Sequence, residues 1–229
     1  MSHSYGDQRA KQITTFLFDY GGVLADEGFR EGLFAIARMC GQNERHFFEM
    51  ATEAVYETRY VTGHGSERLF WDSIRNNSGI ALSDEMMRNH IISRFSLRMP
   101  MLGLVKMLRS KGYKVMILSD QTNWLKELDE RDHFFEAFDL IFNSYDLGKA
   151  KRDVSLFKDI LSKLGLAPDE VLFVDDNAGH TRRAKLVGIN AITFTDIPIL
   201  LMELRSMALI TETERCNLAA ALDAQSPVH

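Results

Sequence analysis

What most constrains this chain is a series of short apolar runs, each ending in small, polar or acidic residues and separated by stretches of helical period. The first, Ile13 to Asp19, carries Phe16, Leu17 and Phe18 and breaks at Gly21-Gly22. The second, Tyr113 to Leu118, follows Leu102, Val105 and Leu108 at helical spacing and ends in Ser119-Asp120. Leu140 to Asn143 precedes Ser144, Val171 to Val174 runs into Asp175-Asp176, and Ala191 to Phe194 follows the turn at Gly188. Unbroken apolar runs of this length suit strands covered on both faces. Their alternation with helical stretches such as Val154 to Leu164 and His180 to Val187 predicts an α/β fold with a doubly wound parallel sheet.

Residues from about Phe29 to Leu97 have no such run. Phe34, Ile36, Phe47, Phe48, Val55, Leu69, Phe70, Trp71 and Ile74 recur at helical spacing, in segments divided by Gly41, Gly63 to Gly65 and Gly79. That pattern predicts an α-helical module inserted after the first strand, with Pro100 marking the return to the sheet. The division expected is a core of residues 1–28 and 97–205, an inserted helical cap of 29–96 and a helical tail of 206–229. Phe47, Phe48, Phe70 and Trp71 are expected to be packing residues, as helix-period aromatics usually are. The apolar helix Ile199 to Leu209 could pack on the sheet or on a second copy of the chain, and the latter would make a homodimer.

Composition removes several classes of function. A chain of 229 residues, 45% hydrophobic and 26% charged, can build its core without staples. Cys40 and Cys216 stand far apart and form no CxxC pair, which argues against a zinc ribbon or a disulfide framework. The 27 Lys and Arg against 32 Asp and Glu give a formal charge of −5, so no general basic field exists to attract nucleic acid. No apolar stretch is long enough to span a membrane, and MSHSYGDQRAKQ carries no apolar leader, so a cytoplasmic location is expected.

In open parallel sheets, ligands bind beyond the carboxyl ends of the strands, where the strand order switches. The sequence puts its unusual polar residues there: Asp19, Ser119, Asp120, Asp175 and Asp176, with Lys151 on a neighbouring loop. Each has an ordinary reading. Asp19 could cap its turn, Ser119-Asp120 could cap a helix, Lys151 could be solvated, and Asp175-Asp176 could sit at a helix N-terminus. Together, converging carboxylates repel one another and call for a cation, and Mg²⁺, with its preference for oxygen ligands, is the natural one.

The ordered set resembles the haloacid dehalogenase superfamily, in particular its phosphatases with a small helical cap. FDYGGVLAD (Phe18 to Asp26) is similar to the first family motif, which makes Asp19 the nucleophile. ILSD (Ile117 to Asp120) is similar to the second, with Ser119 as a phosphate-binding residue. SYDLGKAKRDVSLF (Ser144 to Phe157) is similar to the third, with Lys151, and VLFVDDNAGHTRRAKLVGINAI (Val171 to Ile192) to the acidic fourth. The resemblance implies a Rossmann-like core and a phosphatase that acts on a small phosphorylated metabolite through an aspartyl-phosphate. Asp19 and Lys151 would be catalytic. Ser119, Asp120, Lys151, Gly21 and Gly22 would bind the phosphate, and Asp19, Gly21, Asp175 and Asp176 would hold Mg²⁺. Among the branches, the glucose-1-phosphatase-like one looks most similar, which implies a sugar phosphate as substrate.

The sequence also departs from that pattern. Gly21 stands where most of these phosphatases carry a second aspartate as general acid and base, Arg152 and Val154 replace prolines, and His180-Thr181 replace Asn-Val. Loss of a general acid matters least when the leaving group is good, so sugar 1-phosphates, aryl phosphates or acyl phosphates are the expected esters. A hydrolytic dehalogenase, which also lacks the second aspartate, and a catalytically weak binding protein are the alternatives. Tyr20, Asn123, Trp124 and His180 are placed in loops that could reach the mouth of the site.

Overall fold

The computed structural model describes residues 13–223. Its centre is a five-stranded parallel sheet of β1 (Thr15–Phe18), β2 (Lys114–Ser119), β3 (Leu140–Asn143), β4 (Val171–Asp175) and β5 (Asn190–Thr193), in the order β3-β2-β1-β4-β5. The α/β architecture read from the apolar runs is the one observed. Strand limits differ from the expected ones by a residue or two. Asp175 lies inside β4 rather than after it, because its backbone still pairs in register with Thr193.

Five α-helices fall between β1 and β2, of which the first four are α1 (Gly28–Met39), α2 (Glu44–Glu57), α3 (Glu67–Ser78) and α4 (Asp84–Ile92). Then α5 (Met99–Ser110) enters β2, α6 (Trp124–Asp132) leads toward β3, and the short α7 (Ser144–Leu147) and α8 (Ser155–Leu164) lead to β4. After α9 (Ala178–Leu186) and β5 come α10 (Ile197–Ser206) and α11 (Glu212–Asp223). Short polar side chains start several of these helices. Asn43, Ser66, Ser83 and Asp196 each accept a hydrogen bond from a backbone N–H three residues on.

Strand side chains alternate between two cores. Leu17, Met116, Leu118, Val171 and Phe173 face one side, beneath Leu156, Phe157, Ile160 and Leu161 of α8. Phe16, Phe18, Val115, Ile117, Leu172 and Val174 face the other, against α5 and α10. This second core continues without interruption into α1 to α4, through Leu33, Phe47, Phe70 and Trp71. At Gly32 the backbones of α1 and α4 come so close that a Cβ would lie 2.5 Å from the Cα of Ile91.

The choice left open for the Ile199–Leu209 segment is resolved in part. Leu200, Leu201 and Leu204 of α10 are buried in the core of this chain, whereas Ile199, Met202 and Met207 remain exposed. Among the described residues, no helix is long and apolar enough to cross a membrane. The amino-terminal segment read for a leader lies outside the described residues.

Candidate active site

The sheet order sets β1 between β2 and β4, so the residues just past its end meet those of both neighbours. Asp19 donates its backbone N–H to the Val174 carbonyl at 2.9 Å, which sets it beside Asp175. Its Oδ1 accepts from the Tyr20 N–H at 2.7 Å and from the Ser119 hydroxyl at 2.6 Å. The Lys151 ammonium bridges the two carboxylates, 2.7 Å from Asp19 Oδ2 and 2.5 Å from Asp175 Oδ2. Lys151 is wholly buried, and its backbone N–H donates to Asp120 Oδ1 at 2.9 Å. The structure thus brings Asp19, Ser119, Lys151 and Asp175 into direct contact from four separate stretches of chain.

Charge and burial compete at this cluster. Burial pushes the Asp19 carboxyl well above the usual range, against the pull of Lys151, and the charges of Asp175 and Asp176 push it the same way. Burial would also raise Asp175, but Lys151 and His180 outweigh it and hold that carboxyl low. Burial by itself would lower Lys151, yet Asp175, Asp19 and Asp120 keep it above the ordinary lysine range, fully charged. His180 Nδ1 lies 3.2 Å from Asp175 Oδ2, a contact satisfied when that nitrogen carries the proton.

Asp176 is different. Among the described residues its carboxylate accepts no hydrogen bond, and burial together with Asp175 raises its pKa. It packs on the glycine turn: Gly22 has φ +77°, and a Cβ there would fall 2.3 Å from Asp176 Oδ2. Asp19, Asp175 and His180 also present possible ligand atoms within 4.8 Å of one another. The Lys151 ammonium, however, already sits between those two carboxylates. Asp176, whose carboxylate accepts no hydrogen bond among the described residues, borders the same cavity as Asp19 and Gly21, which makes these three the residues nearest to hand for a cation. Buried or half-buried carboxylates with too little positive charge are a donor set that suits a hard cation such as Mg²⁺. The residues present therefore fit that ion, with Asp175 serving Lys151 more directly than the metal.

These groups border a cavity of about 330 Å³. Asp19, Gly21, Ser119, Lys151, Asp176 and His180 line one side of it. Two of the expected phosphate-binding residues sit otherwise. Gly22 does not border the cavity, and its role is to leave room for Asp176. Asp120 reaches the cavity, but its carboxylate accepts from the Lys151 N–H and, at 2.9 Å, from the Tyr56 hydroxyl. A carboxylate so engaged braces the Lys151 loop against α2 and would repel a phosphate.

Of the four loop residues expected near the mouth, only His180 lines the cavity. Tyr20 is buried against Phe95 and Phe134. Trp124 donates to Glu67, and Asn123 accepts from the Tyr60 hydroxyl. Phe47, Phe70 and Trp71 are packing residues as expected, whereas Phe48 opens onto the cavity. Sequence reasoning missed Glu27, Arg30 and Tyr56. Glu27 starts α1, where Oε2 accepts from the Arg30 N–H at 2.8 Å. Its Oε1 lies 3.6 Å from where a Cβ on Gly21 would be, and burial pushes its pKa up to about 7. A glutamate eight residues after Asp19 carries no pattern that would single it out.

The comparisons with known proteins agree with this geometry. Residues 13–188 match the haloacid dehalogenase-like hydrolase family. The chain belongs to the haloacid dehalogenase-like hydrolases. Within that family it is 27% identical over 212 residues to bifunctional epoxide hydrolase 2 of Rattus norvegicus, a match that covers 83% of this chain and 38% of the rat protein. The chain thus spans little more than a third of the length of that relative. The fold of these hydrolases is also seen in a Bacteroides thetaiotaomicron family enzyme, bt-2542, in complex with magnesium and inorganic phosphate. That structure is 24% identical, with a TM-score of 0.58 over 80% of this chain and 94% of that one. The L-2-haloacid dehalogenase of Xanthobacter autotrophicus, with chloropropionic acid covalently bound, is 17% identical, with a TM-score of 0.61 over 90% of this chain and 88% of that one.

Proposed function

We propose that this hydrolase is a Mg²⁺-dependent phosphatase that cleaves a small phosphorylated metabolite through an aspartyl-phosphate. The observation that carries the reading is a fixed Asp19, held by Ser119 and Lys151, on the same side of the cavity as Asp176, whose carboxylate accepts no hydrogen bond among the described residues. Mg²⁺, held by Asp19, Asp176 and the Gly21 carbonyl, would offset negative charge on the carboxylates and on the phosphoryl group. The metal and phosphate found in the Bacteroides enzyme support this choice.

Asp19 Oδ2, the oxygen bound only by Lys151, attacks phosphorus. An O–P bond to Asp19 forms as the bond to the ester oxygen breaks, and the departing alkoxide takes a proton from water. A second water then attacks phosphorus as the O–P bond to Asp19 breaks, which frees the carboxylate; one proton of that water stays on the phosphate and the other neutralises the hydroxide left by protonation of the alkoxide, so the products are the alcohol and hydrogen phosphate. Ser119 and Lys151 keep the carboxylate oriented and are placed to donate to phosphoryl oxygens as they arrive. Phosphoryl transfer depends mainly on such positioning and electrostatics. Asp175, fixed by Lys151 and His180, holds the ammonium in place. Because residue 21 is glycine, the demand for a general acid is least when the leaving group is good, as in sugar 1-phosphates, aryl phosphates and acyl phosphates. Helices α1 to α4 act as a cap over the strand ends, and the reaction takes place in a reducing cytoplasm compatible with the free Cys40 and Cys216.

Dehalogenation uses the same nucleophile, as the Xanthobacter structure illustrates, but a haloacid brings no phosphoryl charge and gives Asp176 nothing to do. Phosphate release from sugar, acyl and aryl phosphates, with and without Mg²⁺ and beside Asp19→Asn, tests the proposal. The expected result is Mg²⁺-dependent release that falls by about 10³-fold or more in the variant. Release that survives in Asp19→Asn would overturn it.

A further inference from the structure

Part of the cavity wall, supplied by α1, α2 and the turn that follows, is apolar, although Arg30, Thr52 and Tyr56 belong to the same elements and also border the cavity. Phe29, Phe48, Val55 and Val61 form that apolar part, in the cavity that Asp19 and Lys151 also border. Phe48 is wedged between Phe34, at 5.8 Å, and Phe29, at 6.5 Å, with rings edge to face in both pairs. Such a cluster fixes its position, and the part of the ring left unburied borders the cavity. The polar groups on this side mostly have partners of their own, and Arg30 Nε donates to Glu31 Oε1 at 3.3 Å. The Tyr56 hydroxyl donates to Asp120, and the Arg152 guanidinium, 3.6 Å above the Tyr56 ring, forms a two-point pair with Glu53. The Thr52 hydroxyl is buried without a partner. A polyhydroxylated leaving group placed here would give up water for an aliphatic and aromatic surface, leaving its hydroxyls unsatisfied.

We infer that the leaving group is an apolar alcohol or phenol, so that the substrate is a small aryl or arylalkyl monophosphate rather than a sugar phosphate. The inference rests on the phosphatase reading and narrows it. The phosphoryl end goes to Asp19 and Lys151, and the apolar end lies against Phe29, Phe48 and Val55. At about 330 Å³ the cavity is at the small end of ligand pockets, which run from about 300 to 1,000 Å³, and so suits one ring rather than a long chain. An apolar wall discriminates by roughly tenfold to a few hundredfold for each group that it fails to accommodate.

The test compares benzyl phosphate with glucose 6-phosphate, both esters of primary alcohols, so that leaving-group quality differs little between them. The full-length protein is assayed with Mg²⁺, and acetyl phosphate serves as a substrate with little surface for the wall to contact. Benzyl phosphate is expected to show at least about a tenfold higher kcat/KM, and Phe48→Ser to reduce that ratio severalfold. Because the ratio is taken within one protein, a general loss of folded enzyme cancels from it. A second readout needs no turnover: benzylphosphonate should raise the Tm of Asp19→Asn in Mg²⁺ more than glycerol 3-phosphate does. Glucose 6-phosphate turned over as well as benzyl phosphate, or a ratio untouched by Phe48→Ser, overturns the apolar assignment while leaving the phosphatase reading intact. Silence on all three substrates overturns both.

Discussion

Single carboxyl groups carry most of the strain at this site. Glu27 joins two tasks that pull in opposite directions. Its Oε2 caps α1, which favours the charged form, but burial against the cavity dominates and sets its pKa at about 7. A carboxyl raised on folding stabilises the protein fully below its unfolded pKa, and the contribution is lost as pH rises through the folded value. Between about pH 5 and pH 8, then, wild type should lose stability that Glu27→Gln keeps, since glutamine can still accept from the Arg30 N–H. Thermal melts of the two proteins at both pH values, in a chelator, would show the Tm of the variant gaining on that of wild type as pH rises. Equal differences at pH 5 and pH 8 would contradict the burial argument. At this scale the sequence announced Asp19, Lys151 and Asp175 by their places at strand ends and on a loop, but not Glu27, whose role comes from how α1 approaches β1.

Among elements, the start of β2 shows how a loop carboxylate can fix a strand. Asp139 lies just before β3, and its Oδ2 accepts the Val115 N–H at 2.9 Å while Lys114 and Arg109 pair with the same carboxylate. Burial would raise Asp139, but the Val115 hydrogen bond and the two cations prevail and hold it below the usual range. The stability linked to a lowered carboxylate is present above its unfolded pKa and lost as pH falls through the folded one. Replacing Asp139 by Asn should therefore cost about 1 kcal/mol at pH 7, discounted because both cations reach into solvent, and much less near pH 2. Urea titrations at the two pH values measure this. A cost that does not shrink in acid would assign it to packing. Elements themselves were the most legible part of the sequence, since the strands are apolar runs and several helices begin at Asn, Ser or Asp. Their limits were less so, because Asp175 reads as a loop residue but remains in the ladder with β5.

Over the whole molecule, the helices between β1 and β2 share a core with the sheet. Trp71 of α3 and Trp124 of α6 stack at 5.8 Å, and Glu67 accepts from both indole N–H groups, at 3.0 and 3.1 Å. Tyr60 packs edge to face on Trp124 at 5.9 Å. A seam this apolar gives neither part an independent core, so unfolding should be cooperative. Tryptophan fluorescence, which reports the seam, and far-UV circular dichroism, which reports the helices at large, should give one urea midpoint. Trp124→Ala should lower stability by about 3–5 kcal/mol and shift both signals together. Two separated transitions in wild type would show that the helices between β1 and β2 fold on their own.

By itself the sequence determined the class of the fold and which polar residues stand at the strand ends. Apolar runs of strand length can be satisfied only inside a covered sheet, and acidic or cationic residues at their ends are costly unless they face one another or a ligand. What only the tertiary structure decided was the allocation of roles within that set. Strand order and register placed Lys151 between Asp19 and Asp175, left Asp176 without a partner among the described residues, and turned Asp120 toward Tyr56. It also decided what lines the cavity, because Phe48 and Phe47 are neighbours in sequence on the same helix, and only the packing of α1 on α2 determines which of them faces it.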